Sequence, residues 1–530
     1  LDMASSTTSV ASGTPTVAGI HLGVRNSRVA LIADDGSKQT RVIANADGER
    51  ETPTCFGASL SGELLTGSLA LQQQVRNSKN VIVDFTRFLG ATEDSPVLKK
   101  KYPFDASHDG TQVVFKIEVG DEEKTFTPAD GVQLLVSSLK NTAESSTGHP
   151  IHKAVVSVGW HCNRAGREQI VAGCKAAGVQ VVGFVNTTAS AMLASQLERN
   201  LSAAMATEQE GDGKVLVVNS GACTTVALFG RSSTGGYVRL AYRSSWLGGD
   251  DFTDLLVSHF EKEFSRRNRG VDLKNNRRAM LKLTVACEQA KCNLSMAPQT
   301  QVNVDSLCDG IDFSGRLTRG RYESMLQAPI AKLVTLVEET LTEAGFQASD
   351  VHNLLLIGGN ARIPKFQAAI EGLFPNVTRV EEVNADELSV CGAAKHAQFL
   401  MEHPDAVLDD ETEFFAGQTN VSATPHAIRI GLLGGKCVPV IKQGAALPAR
   451  VQQRFATTSD NQTSLVLELY EGESAVASEC VHLATVHVKS ILPKPRLSAF
   501  VDVVFILESS GVLTLLCSTE GAKIQRFEIK

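Results

Sequence analysis

Three stretches of this chain carry residue types and spacings that point to a bound ligand. Leu354 to Lys365 reads Leu-Leu-Leu-Ile-Gly-Gly-Asn-Ala-Arg-Ile-Pro-Lys, an apolar strand that runs into the double glycine Gly358-Gly359. Paired glycines let backbone approach a ring or an anion that any side chain would hold off. Val215 to Thr224 reads Val-Leu-Val-Val-Asn-Ser-Gly-Ala-Cys-Thr, a second apolar strand. It ends in a loop with one glycine, Gly221, and with neutral Asn219 where a metal would want a carboxylate. Ala18 to Ile32 repeats that plan, with a strand, a turn at Gly23 and a returning Val-Ala-Leu, as does Leu216 to Phe229. Such hairpins can cradle an anion with their backbone amides. One would be only a turn, but two, about two hundred residues apart, predict a duplicated lobe with a cleft between the halves.

The intervening segments would position these loops. Ala154–Val158 reads as a strand, Arg167–Ala177 as a helix stopped by Gly178, and Val179–Val185 as a further strand, which is α/β wiring. Asp250–Phe264 and Arg277–Leu294 have helical spacing, with Cys287, Ala290, Lys291 and Leu294 on or near one face. After about residue 402 the texture changes. An acidic stretch, Asp405–Glu413, precedes short strands at Ser464–Tyr470, Val481–Val488, Phe500–Glu508, Val512–Cys517 and Ile524–Ile529, which predict an all-β sandwich.

Composition narrows the classes. A chain of 530 residues is too long for one core, and 43% hydrophobic with 21% charged residues describes an ordinary globular protein. A net charge of -7 argues against a dedicated nucleic-acid binder. The basic cluster Arg266, Arg267, Arg269, Lys274, Arg277 and Arg278 reads as a solvated helix face or a patch for an acidic partner. Eleven cysteines without metal-ligand spacing suit free thiols in a reducing cytosol. Residues 1–16, rich in Ser, Thr, Ala and Gly, read as a disordered tail, and no run reaches the roughly 18 apolar residues of a membrane span.

From about Val17 onward the chain resembles the 70-kDa heat-shock protein family. Asn45 to Pro53 matches the family's Asn-x-x-Gly-x-Arg-x-Thr-Pro, and Leu247-Gly248-Gly249-Asp250-Asp251-Phe252 matches its Leu-Gly-Gly-x-Asp-Phe. Asp305-Ser306-Leu307 with Gly310-Ile311-Asp312-Phe313, Gly358 to Lys365, and Asp386-Glu387 leading to Gly392-Ala393-Ala394 follow in family order. The resemblance implies an actin-like nucleotide-binding domain of duplicated ribonuclease H-like lobes over 17–402, a linker over 403–414 and a truncated β-sandwich domain over 415–530. Thr424-Pro425 would open that last domain. The family's helical lid is expected to be absent, because Lys530 ends the last strand. A sugar or acetate kinase would share the actin-like fold without the all-β domain.

The same resemblance assigns ATP as the ligand. Glu288, Lys291 and Ser295 on one helix, with Gly358, Gly359 and Arg362 on the double-glycine loop and Asp386 nearby, would hold ribose and purine; the family's purine-stacking Arg is Cys292 here. Gly23, Gly221 and Thr224 of the hairpins, and Gly248, Gly249 and Asp250, complete the expected nucleotide-binding set. The phosphate side departs from the family. His21, Asn219 and Val226 stand at acidic positions, Thr187 at the catalytic carboxylate and Leu71 at the γ-phosphate lysine. Losing about four negative charges leaves no metal ligands to assign, so ATP would bind without tight Mg²⁺ dependence and hydrolysis would be very slow or absent. Arg25 reads equally as a phosphate contact or a solvent-exposed arginine, and His21 as a substitute ligand or a structural histidine.

The relay segment (Val158-Gly159-Trp160-His161-Cys162) is altered too, and the expected missing lid, altered linker (Asp409 to Phe415) and eroded phosphate loops resemble the Ssz-type members. That likeness implies a cytosolic, ribosome-associated scaffold paired with a zuotin-type J-domain protein. Through it the chain would act with an active 70-kDa heat-shock chaperone on nascent polypeptide, with no membrane and no sequence-specific nucleic acid involved. The alternative is an ordinary ATP-dependent peptide-binding chaperone with weak ATPase.

Overall fold

The computed structural model describes residues 16–33, 39–195, 214–231, 237–375, 377–379, 384–402, 427–432, 434–441, 449–472, 474–507, 512–519 and 522–529. The expected tail through residue 15, the 403–414 linker and the Thr424-Pro425 opening lie outside the described residues. Thr16, assigned to the tail from sequence, belongs to the first strand, where it pairs with Ile151. Backbone contacts divide the chain between Glu402 and His403 into two compact units.

The first unit contains the same motif twice. In its first half β1 (Thr16–Leu22) and β2 (Asn26–Ile32) form an antiparallel hairpin extended by β3 (Thr40–Val42). Helix α1 (Pro128–Thr147) leads to β4 (Ile151–Val158), parallel to β1. Helix α2 (Arg164–Ala176) then leads to β5 (Gln180–Asn186), parallel to β4. The sheet order is thus β5-β4-β1-β2-β3. α2 starts three residues before its expected position because the Asn163 side chain caps it, accepting from Gly166 N at 2.9 Å. It ends at Ala176, one residue before the expected Ala177, with Gly178 at φ 71°. A short helix, α3 (Thr187–Ala194), follows β5 directly.

The second half repeats the plan. β6 (Lys214–Ser220) and β7 (Thr224–Arg231) make the hairpin and β8 (Tyr237–Ser245) extends it. After α4 (Gly249–Arg267) and α5 (Arg277–Met296), β9 (Val351–Ile357) returns parallel to β6, with β10 (Thr378–Arg379) outside it. The order is β8-β7-β6-β9-β10. Each half has its own core. Phe56, Phe85, Phe88 and Phe115 anchor the first, and Phe252, Phe260, Phe264 and Phe366 anchor the second. A final helix, α6 (Leu388–Glu402), is pressed so closely on both β1 and α3 that a Cβ on Gly19 would lie 2.2 Å from Ala394 N. One on Gly392 would lie 1.8 Å from the Ser190 carbonyl oxygen. This is an actin-like arrangement of two ribonuclease H-like lobes.

The second unit is all β. One sheet runs β12-β11-β14-β15, from β11 (Ile428–Leu432), β12 (Lys436–Ile441), β14 (Leu465–Glu471) and β15 (Val481–Val488). The other runs β13-β16-β17-β18, from β13 (Ala449–Ala456), β16 (Phe500–Leu507), β17 (Leu513–Thr519) and β18 (Gln525–Ile529). Val501, Val503, Phe505 and Leu507 bury alternate positions of β16, and with Leu467, Leu469, Val486 and Val488 they fill one shared core. The expected strands are present with ends moved by a residue or two.

Candidate functional site

Both hairpin turns and the double-glycine loop open onto one cleft of about 630 Å³ within the first unit. Gly23, Gly221, Gly249, Asp250, Glu288, Lys291, Ser295, Gly358, Gly359, Arg362 and Asp386 line it; Thr224 and Gly248 do not. Thr224 lies behind the wall, where its hydroxyl donates to the Leu247 carbonyl at 2.9 Å and meets Ser220 Oγ at 2.8 Å. Gly248 is held against the second hairpin: a Cβ there would sit 2.5 Å from the Ala222 carbonyl oxygen.

One half of the cleft is built to receive polar groups. Helix α5 presents Glu288, Lys291 and Ser295 at its i, i+3, i+7 positions, so one face carries a carboxylate, an amine and a hydroxyl. Lys291 Nζ lies 2.8 Å from Glu288 and donates to the Gly249 carbonyl at 3.0 Å. Burial alone would raise the Glu288 carboxyl, but Lys291 and then Arg25 outweigh it and hold the group below the usual range, hence ionised. Gly358 has φ 84°, and a Cβ on it would meet the Ser220 carbonyl at 2.5 Å, so glycine is required. Gly359 has open space around it. Asn360, whose role its residue type does not signal in the sequence, is buried and donates to the Gly221 carbonyl at 2.7 Å. It thereby ties the double glycine to the second hairpin. Arg362 pairs with one oxygen of Asp386 at 2.5 Å, while the other, Oδ1, is buried without a partner. An orphaned buried acceptor on a residue that lines the cleft fits a ligand donor.

The other half is already filled by the protein's own charges. Asp250, at the start of α4, receives Arg25 at 2.5 Å on one oxygen and Arg87 on the other. Asp84, which has φ 54°, adds a second carboxylate, 3.6 Å from Arg25 and 4.0 Å from Arg87. Burial would raise Asp250, but Arg25 and Arg87 override it and hold its carboxyl low. Asp84 moves the other way, raised by burial despite Arg25. Arg25 is therefore neither a free solvent arginine nor a vacant phosphate contact, although 48% of its side chain is exposed. Asp84 and Arg87 carry no motif, and nothing in the sequence marks Arg87 as the partner of a residue 163 positions away.

The floor between the lobes is neutral. Asn219 donates its Nδ2 to Thr187 Oγ1 at 3.1 Å, joining β6 to the start of α3. His21 lines the cleft with Nδ1 buried and unpartnered, and burial followed by Arg28 lowers its pKa to about 3. His161 is lowered to about 4, again by burial first. Val226 lies in the core of the second lobe, and Leu71, 41% exposed, is off the cleft.

The family described as "Hsp70 protein" matches residues 17–529. The chain is similar to "Heat shock 70 kDa protein 2" of Paracoccidioides lutzii, 31% identical over 507 residues that cover 95% of this chain and 75% of that protein. It is similar to "Heat shock 70 kDa protein" of Neurospora crassa at 31% over 507 residues, covering 95% and 76%. "Heat shock cognate 70 kDa protein 3" of Dictyostelium discoideum is 29% identical over 511 residues, covering 95% and 78%. The chain belongs to the Hsp70 family.

As an Hsp70-family chaperone it sits among proteins that bind ATP, and its residues can be tested against that ligand. The half with Glu288, Lys291, Gly359 and Asp386 fits a nucleoside, whose hydroxyl and amino donors match the Glu288 carboxylate and the orphaned Asp386 oxygen. The other half does not fit a phosphate-bound divalent cation. Among the described residues no three His, Cys, Asp or Glu converge on one point, and Asp250 and Asp84 are already faced by two guanidiniums. Trp160 packs on Trp246 with ring centroids 4.9 Å apart, and His161 lies 5.6 Å from Trp246. Among the described residues, no helix is long and apolar enough to cross a membrane.

Proposed function

We propose that this Hsp70-family chain holds ATP as a structural ligand rather than as fuel, and works as a scaffold paired with a zuotin-type J-domain protein on the ribosome. The observation that carries the first part is the neutralisation of Asp250 by Arg25 and Arg87. ATP, when bound, supplies a purine, two ribose hydroxyls and an anionic tail. On this reading Glu288 and Lys291 bond the hydroxyls, Gly358 and Gly359 admit the ring, and Arg362 stays with Asp386. Arg25 and Arg87, rather than a metal, face the tail, with Asp250 and Asp84 as the anions it must displace.

Hydrolysis needs an ionised group to orient water and a cation to stabilise charge on the transferred phosphoryl, worth a few kcal/mol each. Thr187 and Asn219 offer neither. Ligand binding without turnover still stabilises, by about 2.7 kcal/mol at a hundredfold excess over Kd. The pairing with a J-domain protein rests on the altered linker and phosphate loops and the subgroup they resemble. Affinity capture of the tagged chain after gentle lysis, followed by sucrose-gradient sedimentation, should recover a J-domain protein and a ribosomal fraction. Migration as a free monomer would reject the scaffold role, and J-domain-stimulated hydrolysis in single-turnover assays would instead establish an ATP-driven peptide-binding chaperone.

A further inference from the structure

We propose that Cys437 and Cys480 of the β-sandwich unit form a reversible disulfide site closed by peroxide. Their Sγ atoms lie 4.0 Å apart although 43 positions separate them in sequence. Both thiols point at one acceptor, the Ser474 carbonyl, at 3.2 Å from Cys437 and 3.4 Å from Cys480. The approach does not depend on the sulfurs. The segment preceding Cys480 is laced onto β12 by backbone bonds, from Cys437 N to the Ala475 carbonyl at 2.8 Å and from Ala477 N to the Gly435 carbonyl at 2.9 Å. A bridge between Lys436 and Val476 lies between them. A disulfide needs sulfurs about 2.05 Å apart, and staggered side-chain rotations supply that closure when the backbone already holds the two residues side by side.

The two thiols differ in a way that assigns roles. Cys437 is 2% exposed, while Cys480 is only half-buried and accessible to a small oxidant. Arg429 Nε–H donates to Cys437 Sγ at 3.3 Å, and another guanidinium nitrogen donates to the Cys437 carbonyl at 3.2 Å. These contacts fix the Cys437 side chain on β12, where it faces the Cys480 sulfur. Cys480 is pushed up by desolvation and by the neighbouring thiol, so it rests as a thiol.

In the first step the Cys480 sulfur attacks hydrogen peroxide and loses its proton. The O–O bond breaks, water leaves, and Cys480 becomes a sulfenic acid, two electrons having passed from sulfur to peroxide. The Cys437 sulfur then attacks Cys480 Sγ. The S–O bond breaks, and hydroxide leaves as water with the Cys437 proton. Two thiols and one peroxide give one disulfide and two waters, and a dithiol reductant reverses the change.

The test uses the full chain. Reduced protein is treated with hydrogen peroxide, remaining thiols are alkylated, and the non-reduced digest is mapped by mass spectrometry. The expected product is a cross-linked pair containing Cys437 and Cys480, lighter by two hydrogens than its reduced parts and lost after dithiothreitol. It should be absent from Cys480→Ser, a half-buried site where folding is retained, and from Cys437→Ser. In the wild type, Cys480 accumulating as unlinked sulfinic acid, a bond from either residue to a different cysteine, or both thiols remaining open to alkylation would overturn the proposal.

Discussion

The two halves of the cleft differ in how far the protein's own side chains satisfy their polar groups, although two similar hairpins open onto it. Around Glu288, Lys291 and Asp386 the polar atoms are poised but unfinished: Asp386 Oδ1 is buried without a partner and Gly359 faces open space. Around Asp250 every charge already has its counter-charge from the protein itself. The difference teaches that one half balances its charges within the protein while the other leaves polar atoms open to a ligand. Two carboxylates at the Thr187–Asn219 contact would repel by about 4 kcal/mol at 4 Å unless a cation lay between them. The neutral pair lets the lobes meet without one.

That contrast can be attacked at several points. Gly358→Ala should have the largest effect, about 2–5 kcal/mol of lost stability, from a positive φ and a Cβ forced onto the Ser220 carbonyl. Equilibrium urea denaturation checks it, and Gly359→Ala, with open space at its Cβ, should cost well under half as much. Next comes the double change Thr187→Glu with Asn219→Asp, which should destabilise by about 4 kcal/mol in EDTA and regain much of that with Mg²⁺, read as a metal-dependent Tm.

Asp250→Asn should lower stability by about 2–3 kcal/mol by leaving two guanidiniums facing an uncharged group. It should also tighten metal-free triphosphate binding, because only Asp84 then competes for Arg25 and Arg87; weaker binding would mean they never face the phosphates. The smallest effect per increment is on acidification. His21 and His161 have folded pKa values lowered from 6.5 to about 3 and about 4, so the unfolded chain takes up protons first as pH falls. Stability should therefore hold above pH 6.5 and decline below it by up to about 1.4 kcal/mol per pH unit for each group, in denaturation series between pH 7 and 5. His21→Gln should flatten that slope.

The duplicated lobe was legible because β1–β2 and β6–β7 share a strand, glycine and Val-Ala-Leu pattern whose period needs no tertiary information. The strands of the sandwich were legible for the same reason, as alternation at Val501, Val503 and Phe505 shows. The double-glycine loop was legible because Gly358 must be glycine. The ion network was not. Asp84 and Arg87 act only where the fold carries them to Asp250, and their residue types are ordinary for a surface loop. Thr224 and Gly248 illustrate the opposite case: they sit in ligand motifs yet serve the wall behind the ligand, Thr224 through the Leu247 carbonyl and Gly248 through close packing.

The central claim is that the protein's own guanidiniums stand where a metal would. Isothermal titration of ATP into the purified chain, once with excess Mg²⁺ and once with EDTA, tests it most directly. The account predicts Kd values within about threefold of each other, less than 1 kcal/mol apart, and no product phosphate in either cell. A Kd that tightens more than about tenfold with Mg²⁺, or phosphate released in step with binding, would contradict it.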